Sequence, residues 1–177
     1  VRHAIAYAID KDKIADGAMF GASKAAHAHI ASGVSWVHFP EYDYKQDIKK
    51  SNELLDAAGF KRGSDGMRFS LRWYWAAGKA FQGRAAEVIR TQLRDVGIEV
   101  SIKSIDKPTF LELVYKKRNF DVAHQLFTTA PDPTLSVVHR YKTTSIGRNY
   151  ANAAGWSNKD YDKWTDEESL ISDISKR

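Results

Sequence analysis

Cysteine is absent from the 177 residues, which excludes thiol catalysis, disulfide stapling and thiolate metal sites and leaves the compartment open. Long apolar runs are absent too. Although 43% of the chain is apolar, enough for one domain with a real core, no run approaches the roughly 20 residues that cross a bilayer as a helix. No tract is repetitive or of low complexity. Neither sign of charge dominates: 27 basic residues face 22 acidic ones, scattered except for short runs such as Lys116, Lys117 and Arg118, which reads as solvated surface. Catalytic signatures are also missing. There is no nucleophile elbow, Gly-rich phosphate loop or HExxH helix, and Gly17 to Gly21 and Gly59 to Gly66 match none of them.

What is present is a strand, helix, strand, helix, strand alternation between residues 67 and 127. Met67 to Trp75 places Phe69, Leu71, Trp73 and Trp75 on one face by alternation, which predicts a strand. From Ala80 the period changes, and Phe81, Ala85, Val88, Ile89, Leu93 and Val96 form the stripe of a helix that Gly97 ends. Ile98, Val100 and Ile102 alternate as a second strand. Asp106 can cap the next helix, with Pro108 in its first turn, running to about Lys117; Phe120 to Phe127 returns as a third strand. Strands joined by helical crossovers are normally parallel, so the class is α/β, and ligands of such sheets sit beyond the strands' carboxyl ends. Elsewhere the chain is mostly helical: one helix near residues 1–9, a second over Lys11 to Phe20 capped by Asp10 and ended by Gly21, a third over Asp47 to Ala58 closed by Gly59. A short one follows Pro133 to about Tyr141, and an acidic one starts near Asn158. Residues 22 to 46 show no period, a loop longer than the usual limit of about 12 to 15, which points to function or to packing against something else.

Those carboxyl ends carry Tyr74 to Gly78 and Phe127 to Asp132. Phe127, Thr128 and Thr129 leave the third strand where backbone groups and short hydroxyls are free to bond a solute. Asp132 either contributes to that site or caps the helix after Pro133. Trp73 and Trp75 read as core, while Tyr74 can reach a cleft. Phe81 opens its helix at the cleft edge or packs inward, and Trp36 in the long loop closes over a solute or packs under its own loop. His27, His29 and His38 lack a paired carboxylate, so no metal site is expected.

Five stretches in matching order carry a resemblance: Val1 to Lys11 (VRHAIAYAIDK), Leu54 to Phe60 (LLDAAGF), Gln92 to Val100 (QLRDVGIEV), Phe120 to Ala123 (FDVA) and Asp132-Pro133. Asn152 to Asp162 (NAAGWSNKDYD) is similar to a sixth. Together the chain resembles the family 5 extracellular solute-binding proteins, the dipeptide, oligopeptide and nickel receptors of ABC importers. The resemblance implies a type II periplasmic-binding-protein-like α/β lobe with a mostly parallel sheet flanked by helices. It implies that residues 1–177 are the second lobe of a two-lobe chain, with the first lobe and any signal peptide upstream. The implied partners are a small solute such as a peptide, the other lobe and a membrane ABC permease; the implied location is periplasmic or extracellular; no enzyme activity and no cofactor are implied. Peptide receptors of this family place an aromatic where Phe127 stands, and commonly an Asp just after it that holds the peptide amine. That position aligns with Ala130 here. Losing that carboxylate removes a charge-assisted hydrogen bond of about 1.5 to 3 kcal/mol, which puts an ordinary peptide in doubt unless Asp132 takes over.

A basic, aromatic-rich nucleic-acid module is the rival reading, since a pI of 9.3 with eight Tyr, eight Phe and five Trp can supply phosphate contacts and stacking platforms. The aromatics fall mostly on apolar stripes, however, and no element gathers a basic face. A hydrolase is a further alternative that no spacing supports.

Overall fold

The computed structural model describes residues 1–26, 30, 33, 34, 36, 44–128 and 130–173. They divide into two compact units, one drawn from residues 1–26, 44–106 and 120–125, the other from residues 107–119 and 126–173 together with the described residues of the long loop.

The first unit is built on a parallel three-stranded sheet in the order β2-β1-β3, with β1 at Phe69–Ala76, β2 at Ile98–Ile105 and β3 at Val122–His124. Phe69 pairs with Ile98, and Trp73 with Val122. Alternation along β1 sends Trp73 and Trp75 into the core, with Phe69 and Leu71 packed against it. Helix α4, Ala80–Asp95, supplies the β1 to β2 crossover and buries Ala85, Ala86, Ile89 and Leu93. Its end is as read: Gly97 takes φ 81, a left-handed conformation that costs an L-residue about 1–2 kcal/mol. Helices α1 (Arg2–Ala8), α2 (Lys11–Met19) and α3 (Ile48–Ala57) complete the unit. Asp10 and Asp47 cap α2 and α3 by accepting the amides of Lys13 and Lys50 at 3.1 and 2.8 Å.

Buried polar groups tie these helices to one another. Ser51 Oγ donates to the Ala4 carbonyl at 2.8 Å, linking α3 to α1. The Gln92 carboxamide accepts from the Asp10 amide at 3.0 Å and donates to the Asp10 carbonyl at 3.3 Å. At Gly17 of α2 a Cβ would stand 2.9 Å from Val88 Cγ2 of α4, so glycine permits that helix contact. Arg68 is buried in its side chain and joins the Asn52 Oδ1 of α3, at 2.9 Å, to the Val96 carbonyl at the end of α4, also at 2.9 Å.

The second unit contains α5 (Lys107–Leu111), continued by a π-helical turn at Glu112–Lys116, then α6 (Pro133–Ser136), two 3-10 turns at Val138–Arg140 and Thr143–Ser145, and α7 (Lys159–Ser169). Phe110, Val114 and Tyr115 are its buried hydrophobic residues on the first two of these elements. Asn152, 1% exposed, donates to the carbonyls of Tyr141, Lys142 and Trp156 at 3.2, 3.1 and 2.7 Å and accepts from the Trp156 amide. Asn158 caps α7 through the Tyr161 amide at 2.9 Å.

Several expectations need correction. The third strand is three residues long, Val122–His124, rather than the span Phe120 to Phe127, and β1 extends only one residue, Ala76, beyond the partner of His124. The helix read to Lys117 is α-helical only to Leu111 before its π turn. Helix α2 ends at Met19, one residue short of the expected Phe20, which caps it in the left-handed conformation at φ 54. The turn after Pro133 breaks into α6 and a 3-10 turn instead of running as one helix to Tyr141. Not every aromatic serves the core either: Phe20 and Trp164 are exposed.

Candidate functional site

The carboxyl edge of the sheet is defined by the pairing of Trp75 with His124. A clamp one strand-length earlier sets where β3 begins. The Asp121 carboxylate accepts the Arg72 amide at 2.8 Å and the Arg72 guanidinium at 2.9 and 3.1 Å, and the Asp121 amide donates back to the Arg72 carbonyl at 3.3 Å. Arg72 thereby holds the Asp121 carboxyl below the ordinary carboxylate range. His124 at the end of β3 stacks edge-on against Trp73 with ring centroids 6.4 Å apart. Burial pushes its pKa down, and its Nδ1, like Trp73 Nε1, is buried with no partner among the described residues. A neutral imidazole is the form such a setting favours.

Beyond Gln125 the chain enters the second unit, and there Phe127 is half-buried with Thr128 exposed. The Arg140 guanidinium lies over the Phe127 ring, 3.9 Å from its centroid. Its Nη2 makes one long hydrogen bond, 3.5 Å, to the Thr128 carbonyl. Desolvation lowers the Arg140 pKa, and the Tyr115 and Tyr141 phenols act against that shift. Burial pushes Tyr115 up to about 12 and raises Tyr141 as well, so both phenols are neutral at physiological pH.

The candidates from sequence fall in different places. Tyr74 is half-buried on β1, in register with Lys103 and Ala123 and on the face opposite Trp73 and Trp75. Phe81 is half-buried in the first turn of α4. These two belong to the first unit, whereas Phe127, Thr128 and Asp132 belong to the second. Asp132 accepts the Thr134 amide at 2.9 Å through Oδ1, the bond of a helix cap. Thr134 in turn donates to the Glu168 carboxylate of α7 at 2.8 Å. Trp36 is 38% exposed. Thr129, His27, His29 and His38 lie outside the described residues. Among the described residues no group of three or more His, Asp or Glu is placed to hold a metal ion, and no helix is long and apolar enough to cross a membrane. Arg140 was not found from sequence. Thirteen positions separate it from Phe127, a spacing with no helical or strand period, and only the 3-10 turn Val138–Arg140 brings the two together.

Residues 1–149 match the family described as bacterial extracellular solute-binding proteins, family 5 Middle. The chain belongs to this family. Among the curated relatives, Protein XP55 of Streptomyces lividans is 23% identical over 172 residues, covering 94% of this chain and 31% of that protein. The oligopeptide-binding protein AppA of Bacillus subtilis is 24% identical, covering 98% of this chain and 33% of that protein. The chain therefore spans about a third of the length of these relatives. NikZ from Campylobacter jejuni, solved in complex with Ni(L-His), superposes with a TM-score of 0.83 at 19% identity over 99% of this chain and 36% of that one. The fold is thus the α/β fold of type II periplasmic binding proteins, as the family 5 resemblance implied.

Proposed function

We propose that residues 1–177 form the second-lobe part of a two-lobe solute receptor that serves an ABC importer in the periplasm or at the outer cell surface. The single observation that carries this reading is the family match across residues 1–149. The geometry is consistent with it: a parallel sheet whose carboxyl edge leads into the segment 126–132, the side of such sheets where ligands sit. In this reading the proposed solute contacts are Phe127, Thr128, Thr129, Asp132, Tyr74, Phe81 and Trp36, and closure of the lobes expels water and presents the solute to the permease. A binding role, with no catalytic step, is what the family and its relatives' names support. Nothing among the described residues favours the nucleic-acid or hydrolase alternatives.

The solute class stays within what the relatives' names span: the AppA of Bacillus subtilis is named for oligopeptides, and NikZ was solved with a nickel–histidine complex. Asp132 Oδ1 accepts the Thr134 amide, so the amine of a peptide is proposed to meet the Asp132 carboxylate alongside that bond or to find its partner elsewhere. Mass spectrometry of the small molecule released on denaturing the full-length protein tests the reading, with residues 1–177 alone as control. A solute in the full-length sample and none in the control is the expected result. Micromolar binding by residues 1–177 alone would refute the two-lobe division of contacts.

A further inference from the structure

We infer that Arg140, stacked on Phe127, is a docking point for a carboxylate or similar planar anionic group of the solute. The inference rests on the reading above that the segment from Phe127 onward faces the solute. The described arginines differ in how their charge is answered. Arg72 is paired fork to fork with Asp121, and Arg68 meets Asp56, Asn52 and two carbonyls. Arg140 carries the same five N–H donors, yet among the described residues its side chain reaches a single acceptor, the Thr128 carbonyl at 3.5 Å. Its Nε is buried without a partner. No Asp or Glu is among the groups that act on its charge; those groups are Tyr115 and Tyr141. Both phenols are held neutral, so the spot keeps its full positive charge.

A partly desolvated cation with unmet donors is costly unless something completes it. With Cζ 3.9 Å from the Phe127 ring centroid and Nε buried, the donors left for a ligand are those at the end of the guanidinium, on Nη1 and Nη2. That end fits a planar, bidentate oxyanion.

The test is isothermal titration of the full-length protein with matched acids and neutral partners: trialanine and its C-terminal amide, succinate and succinamide, glucuronate and glucose. At least one acid should bind about 10- to 100-fold more tightly than its neutral partner, the size of one charge-assisted hydrogen-bonded contact. Arg140→Gln should abolish that preference without weakening the neutral partner, and Arg140→Lys should restore part of it, charge without the fork. The acid-to-neutral ratio of the unmodified protein decides the matter even if a variant fails to fold. Binding with no preference for the acid, or a preference that survives Arg140→Gln, overturns the inference and leaves the receptor reading intact. Absence of binding by every probe and by the solute recovered from cells overturns both.

Discussion

Replacing Asp121 with Asn keeps the shape of the side chain and removes its charge, and the structure makes the consequence calculable. Strand β3 is only three residues long, so its ladder to β1 is weak by itself. The Asp121 carboxylate adds three acceptor contacts to Arg72, at 2.8, 2.9 and 3.1 Å. A hydrogen bond to a charged group contributes about 1.5–3 kcal/mol, and because the two side chains are 45% and 34% exposed, screening brings the expected loss to about 1–2 kcal/mol. If the clamp acts locally, amides of residues 122–124 should exchange about 5- to 30-fold faster, with those of α4 little changed. The pH dependence has a definite sign. Arg72 depresses the folded-state pKa of Asp121, so its contribution is present above the unfolded value of about 3.9 and disappears as pH falls through the folded value. Wild type and Asp121→Asn should therefore differ at pH 7 and converge as the pH falls through the depressed folded-state value of Asp121. A double-mutant cycle with Arg72→Gln should return a coupling of about 1 kcal/mol; a coupling below about 0.3 kcal/mol, or unchanged exchange at 122–124, would refute the reasoning.

Three further substitutions isolate single causes. Gly97 and Gly66 share positive φ, 81 and 79, but a Cβ at Gly97 would stand 2.9 Å from the Gly66 carbonyl oxygen and one at Gly66 would meet open space. Gly66→Ala should cost about 1–2 kcal/mol from backbone conformation, and Gly97→Ala distinctly more; equal shifts in the denaturation midpoint would remove the clash as a cause. Burial lowers the His124 pKa, so the unfolded chain binds more protons below its ordinary value of about 6.5. Stability should then rise with pH across the range below 6.5 and level off above it. His139 shifts the same way, so His124→Gln should reduce that slope without abolishing it, and an unchanged slope in urea titrations would assign the effect elsewhere.

Much of the fold is legible because the signals are local. The stripe of Ala85, Ile89, Leu93 and Val96 and the stop at Gly97 need only helical periodicity and the conformational freedom of glycine, and β1 announces its buried face by alternation. Where the fold departs from that reading, the cause is tertiary. The run through Phe127 continues to look like a strand after His124, but pairing requires a neighbour, and β1 extends only one residue beyond Trp75, the partner of His124. The π turn at Glu112–Lys116 carries no compositional mark that distinguishes it from the α-helix it extends.

The site is less legible for a related reason, visible in what the family motifs do. Of the stretches that carry the resemblance, Val1 to Lys11 supplies the buried Ala4 and Ala8 and the Asp10 cap. Leu54 to Phe60 supplies the buried Leu55 and a positive-φ Gly59. Gln92 and Leu93 fasten α4, Asp121 clamps β3, Asp132 caps α6 and Asn152 gathers the loop before α7. Each is a fastening whose loss would be felt by the fold whatever solute is bound, so together they identify the scaffold strongly and the ligand hardly at all. On the receptor reading proposed above, specificity would then reside in side chains outside the motifs, held by these fastenings but free to differ from them. Arg140 answers that description: it lies outside every motif, it meets Phe127 only through the path of the chain after α6, and its charge is unanswered among the described residues.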